Sequence, residues 1–270
     1  MIPKMIHYVW GGDKEKPYIV NKCLETWKKY CPDYKIVEWD NNSLVNINNR
    51  YTEQAFKKKK YAFVSDYLRL YALYHFGGFY FDSDLELTHS IDEFVNYDFI
   101  TGFENSNGVV YPITAFMGAT PFNEITKELL EEYNDLNFIN SDGTLNEMPN
   151  TLRITNYLER KYCIKRPFNK NKILKIDETS MVFPSYYFCT PEKGKKNYSI
   201  HHFNGSWIDT WHRKEILKLG KYCVVKYKKK KLDRDEEIKM REDERVIFKF
   251  TRDCIRKYFL LEQDDLYLKR

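Results

Sequence analysis

The stretch Tyr61–Thr88, YAFVSDYLRLYALYHFGGFYFDSDLELT, constrains the fold more than any other part of the chain. Its first half is apolar almost all round: Ala62, Phe63, Val64, Tyr67, Leu68, Leu70, Tyr71, Ala72, Leu73, Tyr74 and Phe76. A helix of that kind belongs inside a large core. It nevertheless carries Asp66 and Arg69, which share a helical face at a spacing of three. Burying either charge alone is costly, so the two are expected to pair or to serve a site. Gly77-Gly78 ends the helix, as glycine beyond a C-terminus commonly does.

Phe79-Tyr80-Phe81 then has the aromatic composition of a strand. Side chains alternate along a strand, which puts Tyr80, Asp82 and Asp84 on one face and Phe79, Phe81, Ser83 and Leu85 on the other. In open α/β sheets, ligand sites form at the C-terminal ends of such strands. Carboxylate oxygens are hard ligands suited to Mg²⁺ or Mn²⁺. Same-face residues of a strand lie about 6–7 Å apart. One carboxylate is therefore expected to bind a metal directly, and the other to act through water or on the substrate.

A chain of 270 residues, 43% hydrophobic and 17% aromatic, has ample material for a core. That length allows one large domain, or one domain with an appendage. The expected division is a catalytic domain over 1–220 and a charged, mainly helical extension over 221–270. No apolar run reaches the length of a membrane span. The apolar part of MIPKMIHYVWGG is too short for a signal peptide, so a cytoplasmic protein is expected. The six cysteines form no C-x-x-C pair, which excludes a zinc ribbon or a thioredoxin-type site and points to reduced, structural thiols. The net charge of +5 owes much to the runs Lys57–Lys60 and Lys228–Lys231. These are expected to be solvated surface. The sharper alternative is attraction to an anionic membrane face, which would hold the protein peripherally at the inner membrane. No nucleic-acid motif accompanies the lysines, so nucleic acid is not an expected partner.

Along the chain, Ile2–Trp10 reads as a first strand and places Trp10 at its C-terminal end. Lys16–Tyr30 reads as an amphipathic helix and Tyr34–Trp39 as a second strand, the opening of a parallel sheet. Strands are expected at Phe99–Glu104, Val109–Ala119, Ile173–Ile176 and Met181–Pro184, and helices at Pro121–Tyr133 and Leu152–Tyr162. The loop-like stretch 136–150 is a candidate lid. Asp233–Lys257 carries opposite-sign charges at helical spacing and is expected to form exposed helices. The late segment SIHHFNGSWIDTW, residues 199–211, places two histidines, a glycine turn and two tryptophans together. Neutral imidazole is a common ligand for divalent metals, so a metal shared with the aspartates is plausible chemistry.

Three patches, IPKMIHYVWGG, the block S-D-x-x-R followed by G-G-x-Y-x-D-x-D, and HHFNGSW, resemble glycosyltransferases with a DXD sugar-binding region. That group includes fungal initiating mannosyltransferases, bacterial capsular-polysaccharide transferases and the large glucosylating toxins. The resemblance implies a GT-A type nucleotide-sugar-binding fold, an α/β domain with a Rossmann-like mixed sheet flanked by helices. It implies transfer of a hexose, with retention, from a UDP- or GDP-linked donor to a glycan, lipid-linked glycan or protein acceptor. By the same likeness Trp10 stacks on the donor base, and Ser65, Asp66 and Arg69 belong to the group that grips donor sugar and phosphate. Tyr80 contacts the diphosphate, Asp82 holds sugar or ribose hydroxyls and reaches the metal through water, and Asp84 binds Mn²⁺ or Mg²⁺ directly. His202 falls at a metal-ligand position, which a one-residue shift would give to His201. Ser206 and Trp207 fall beside the metal and the diphosphate.

The chemistry of those roles stands on its own. Negative charge builds on a leaving diphosphate, and a divalent cation with Arg69 can offset it without a general acid. Asp82, Asp84 and Arg69 are thus the expected catalytic group. The alternatives are a haloacid-dehalogenase-like phosphohydrolase using Asp82 as nucleophile, and a catalytically idle nucleotide-sugar-binding protein.

Overall fold

The computed structural model describes residues 1–11, 15–44, 47–106, 109–203, 212–219, 222–229, 245–252 and 255–263. The chain divides into two units, Met1–Phe203 and Asn204–Arg270. The division therefore falls earlier than the expected 220/221 boundary.

The first unit opens as a parallel strand–helix–strand: β1 (Met5–Val9), α1 (Tyr18–Tyr30) and β2 (Lys35–Trp39), with Met5 opposite Lys35 and Val9 opposite Trp39. Helix α2 (Arg50–Lys57) is capped by Asn49, whose side chain accepts from Thr52 N. Then come α3 (Tyr61–Phe76), β3 (Gly78–Phe81), β4 (Leu85–Leu87), β5 (Phe99–Ser106), β6 (Val109–Ala119), α4 (Glu124–Glu131) and α5 (Asn150–Tyr162). The unit closes with β7 (Leu174–Lys175), β8 (Ser180–Phe183), α6 (Ser185–Phe188) and β9 (Ser199–His201). Seven strands form one mixed sheet in the order β2-β1-β3-β6-β5-β8-β7, and β4 pairs separately with β9. The unit is mixed α/β, as expected.

The sheet lies between two apolar layers. Helices α2, α3, α4 and α5 pack on one face with Tyr80, Phe99, Phe103, Met117 and Val182. Helices α1 and α6 pack on the other with Phe79, Phe81, Phe116 and Phe183. Strand β3 shows the expected alternation, Tyr80 to one layer and Phe79 and Phe81 to the other. Each large side chain fully buried in these layers contributes about 1.5–3 kcal/mol. Helix α3 ends at Gly77, whose N–H reaches Leu73 O at 2.9 Å with φ 65° and ψ −166°. A Cβ there would stand 2.6 Å from Pro121 Cδ, so only glycine fits.

Stretch 136–149 is pinned rather than poised as a lid. Gln54 Oε1 accepts from the N–H groups of Phe138 and Ile139, the Tyr51 hydroxyl donates to Asn146 O at 3.1 Å, and Lys60 pairs with Glu147 at 2.7 Å. Among the described cysteines, Cys23, Cys31 and Cys189 are buried and free, and Cys163 is exposed and free. No helix among the described residues is long and apolar enough to cross a membrane.

Of the stretch Asp233–Lys257 expected to be helical, 233–244 lies outside the described residues, and its described part is strand. The described residues of the second unit are β10 (His212–Leu219), β11 (Tyr222–Lys229), β12 (Arg245–Arg252) and β13 (Ile255–Gln263), an antiparallel sheet in the order β10-β11-β13-β12. RVIFKFTR and IRKYFLLEQ are rich in β-branched and aromatic residues, which favour a pleated surface. Helical charge spacing was the weaker signal.

Candidate active site

Parallel strands β1, β2 and β3 present their C-terminal ends at one edge of the sheet, where Trp10, Asp40 and Asp82 follow. Trp10 continues the ladder, its N–H donating to Trp39 O at 2.9 Å, and its ring is half-buried.

Strand β3 stops at Phe81, and Asp82-Ser83-Asp84 turns the chain into β4. Leu85 N–H closes that turn on Asp82 O at 2.9 Å, while Asp82 N–H holds Ala115 O at 2.9 Å. This corrects the expectation of an extended Asp82–Asp84 segment. A turn brings both carboxylates to one point, so one cation can meet both.

The third member of the cluster arrives through pairing of β4 with β9, where Leu85 stands opposite His201. Helix α1 anchors β4: Trp27 Nε1 donates to Leu85 O at 2.7 Å, and Thr26 Oγ1 accepts from Leu87 N at 3.0 Å. Helix α6 and the residue after it anchor β9: Ser199 Oγ donates to Phe188 O at 2.8 Å, and His201 N to Cys189 O at 2.9 Å. His201 Nε2 then lies 3.4 Å from Asp84 Oδ1 and 3.9 Å from Asp82 Oδ2. Asp82, Asp84 and His201 each offer a ligand atom within 4.8 Å of the others. Burial opposes an imidazolium here, but the Asp84 and Asp82 carboxylates outweigh it and push His201 up to about 10. Its Nδ1 is buried and makes no hydrogen bond.

His202 takes a different place from the one its sequence position suggested. Its ring N–H donates to Glu86 Oε2 at 2.7 Å, and the same oxygen accepts from Lys22 at 2.7 Å. Its backbone N–H reaches Asp84 O at 3.2 Å. Neighbouring residues leaving a strand point to opposite sides, and here it is the His201 imidazole that reaches the two carboxylates.

Arg69 is 4% exposed, and its three nitrogens meet five oxygens. Nε donates to Ser65 O at 3.2 Å, and Nη1 donates to Thr114 O at 2.6 Å and stands 3.2 Å from Asp82 Oδ1. Nη2 donates to Ser65 Oγ at 3.2 Å and stands 3.0 Å from Asp66 Oδ1. A guanidinium has five N–H groups. Arg69 is thus committed inside the protein to both aspartates, above the Tyr80 ring at 4.6 Å from its centroid. The Tyr80 hydroxyl donates to Asp82 Oδ1 at 3.1 Å, and burial raises its phenol well above the usual range. Ser65 Oγ also donates to Ala62 O at 2.7 Å. Asp66 is buried, which pushes it up to about 6 despite Arg69 beside it.

Ser206 and Trp207 lie outside the described residues. Sequence reasoning passed over two others. Glu104, near the end of β5, is raised above the usual carboxylate range first by burial, with His201 opposing and Asp82 adding to the rise. Arg153 of α5 is 6% exposed, its guanidinium 4.9 Å from the Tyr133 ring centroid, with Nε and Nη2 buried and without hydrogen bonds. Neither sits in a motif, and no local signal marks them.

Residues 17–100 match the family model for the glycosyltransferase sugar-binding region containing DXD motif. The matched span holds Ser65, Asp66, Arg69, Tyr80, Asp82 and Asp84, and the Asp82–Asp84 turn is its DXD motif. Trp10 and His201 lie outside this DXD region and join it only through the fold. No curated protein matches the chain. Among solved structures the chain resembles a PaToxG glycosyltransferase, at 19% identity and TM-score 0.45 over 59% of this chain and 70% of that one. It also resembles a glycosyltransferase involved in the glycosylation of the major capsid of PBCV-1, at 15% identity and TM-score 0.42 over 75% of this chain and 94% of that one.

Proposed function

We propose that the chain is a metal-dependent, retaining glycosyltransferase that moves a hexose from a UDP- or GDP-linked donor to a glycan, lipid-linked glycan or protein acceptor. The observation that carries this reading is the meeting of Asp82, Asp84 and His201 within 4.8 Å, at the DXD turn of the matched region. Two carboxylates and one imidazole make a mixed oxygen and nitrogen donor set, which suits Mn²⁺ better than Mg²⁺. Asp82 and Asp84 favour a positive charge at His201 Nε2, which would have to release its proton to bind a metal. A divalent cation in its place would offset the charge that builds on the leaving diphosphate.

The chain's own residues supply the rest. Arg69 fixes Asp82 and Asp66 by two ion-pair contacts and adds its charge to the same region, so in this reading it positions rather than grips the donor. Tyr80 orients Asp82 by its hydroxyl. Asp66, held beside Arg69, offers its carboxylate as an acceptor for sugar hydroxyls. Trp10 offers an aromatic face for the base at the same sheet edge. Ser206 and Trp207 are assigned to the metal and diphosphate by resemblance. The phosphohydrolase alternative needs Asp82 as a nucleophile, whereas Arg69 and Tyr80 both hold its Oδ1.

The test is incubation of the protein with Mn²⁺ and a panel of UDP- and GDP-sugars, reading sugar release and product anomer by NMR. Release with the donor's anomeric configuration is the expected result. An inverted product would overturn retention, and phosphate release from a simple phosphomonoester with no action on nucleotide sugars would overturn the transferase reading.

A further inference from the structure

Resting on that reading, we propose that Phe203, whose ring lies against His201, and Glu104, on the same side of the sheet, form the subsite for the acceptor sugar, a neutral pyranose. Phe203 follows β9 directly, and its ring centroid lies 4.2 Å from that of His201 at an interplanar angle of 42°. Its backbone is left-handed at φ 46°, a conformation that costs a bulky residue about 1–2 kcal/mol. That turn leaves the ring against the imidazole with 49% of the residue exposed. Strand β5 brings the second element. Phe103 packs into the layer formed by α3 and α5, so its neighbour Glu104 emerges on the other side. That is the face on which β4 packs and pairs with β9, and the charges of His201 and Asp82 bear on the Glu104 carboxylate.

An aromatic ring beside a carboxylate is the pairing a pyranose needs. The apolar C–H face of the sugar covers the ring, and neighbouring hydroxyls donate to the two carboxylate oxygens. The donor sugar is assigned to Asp66, which shares Arg69 with Asp82, whereas Phe203 lies on the imidazole of β9 and Glu104 leaves β5 on the sheet face that β4 and β9 cover. A pyranose held there would lie beside the metal cluster, where an attacking hydroxyl is required.

The test uses the full chain loaded with Mn²⁺ and UDP, and offers methyl glucoside, galactoside and mannoside in millimolar excess. Bound Mn²⁺, counted by electron paramagnetic resonance, broadens the ring protons of any pyranoside that binds beside it. Broadening of at least one pyranoside is expected. It should fall about tenfold in Phe203→Ala and in Glu104→Gln, the weight of one stacking contact or one charged hydrogen bond. It should persist in Phe203→Tyr, and Mn²⁺ binding should persist in all three variants. Mn²⁺ binding without broadening of any pyranoside, or broadening unchanged in both loss variants, overturns the subsite alone. Failure of the parent protein to bind Mn²⁺ overturns the metal reading and the subsite with it.

Discussion

Leu85 stands opposite His201 in the short ladder between β4 and β9, and that one register position closes the candidate site. The Asp82–Asp84 turn leads straight into β4, so whatever fixes β9 against β4 also fixes the imidazole against both carboxylates.

His201 and His202 should therefore respond differently to substitution. His201→Ala removes a donor atom of the cluster and should weaken Mn²⁺ binding by more than about 100-fold, beyond the range typical of supporting residues. His202→Ala loosens only the contact with Glu86 and should cost about 10-fold or less. Titration calorimetry with Mn²⁺ on both variants distinguishes them. A larger loss for His202→Ala would contradict the placement of the two rings.

Arg69→Met should destabilise the protein severely. It leaves Asp66 and Asp82 facing each other without their shared cation, and removing one partner from a buried ion pair costs about 3–5 kcal/mol. Arg69→Lys should recover only part of this, because an ammonium cannot meet five oxygens in a planar fork. Urea unfolding measures both, and a midpoint for Arg69→Met equal to that of the parent would refute the argument.

Much of this was legible beforehand, for physical reasons. The apolar circumference of Tyr61–Phe76 and the alternation of Phe79, Tyr80 and Phe81 are local signals, and both elements formed as read. The ion pair of Asp66 with Arg69 followed from the cost of burying either alone. The meeting of Asp82 with Asp84 was misread, because a strand was carried one turn too far. The choice of His201 over His202 depends on a pairing between segments distant in the chain, which no local pattern encodes. Residues 245–252 and 255–257 are strand where helix was expected, because charges at helical spacing masked the strand-forming residues between them.

His7 should give the stability a defined acid limb. Its Nε2–H donates to Gly77 O at 2.9 Å, and its Nδ1 accepts from Trp39 Nε1 at 3.2 Å, an arrangement only the neutral ring can make. Burial lowers its pKa to about 4, below the ordinary value of 6.5. The unfolded chain then binds more protons between those values. The contribution of neutral His7 is complete above 6.5 and is lost as pH falls towards 4, by about 3 kcal/mol in all. Asp66 works in the opposite sense over part of this range, since its raised pKa favours the fold as pH falls. The comparison is therefore between parent and His7→Gln melting temperatures across pH 4 to 7. The parent should lose more stability on acidification, and parallel profiles would contradict the assignment.

The central claim is that Asp82, Asp84 and His201 hold a divalent cation for sugar transfer. The most direct measurement is the single-turnover release of nucleoside diphosphate from UDP- and GDP-sugars in Mn²⁺, for the parent and for Asp84→Ala. The account predicts release by the parent from at least one donor, abolished by chelation. It predicts a loss of at least about 100-fold in Asp84→Ala, equal to about 2.7 kcal/mol of barrier, with the fold intact by circular dichroism. Equal release by Asp84→Ala, or release by the parent that chelation leaves unchanged, would contradict it.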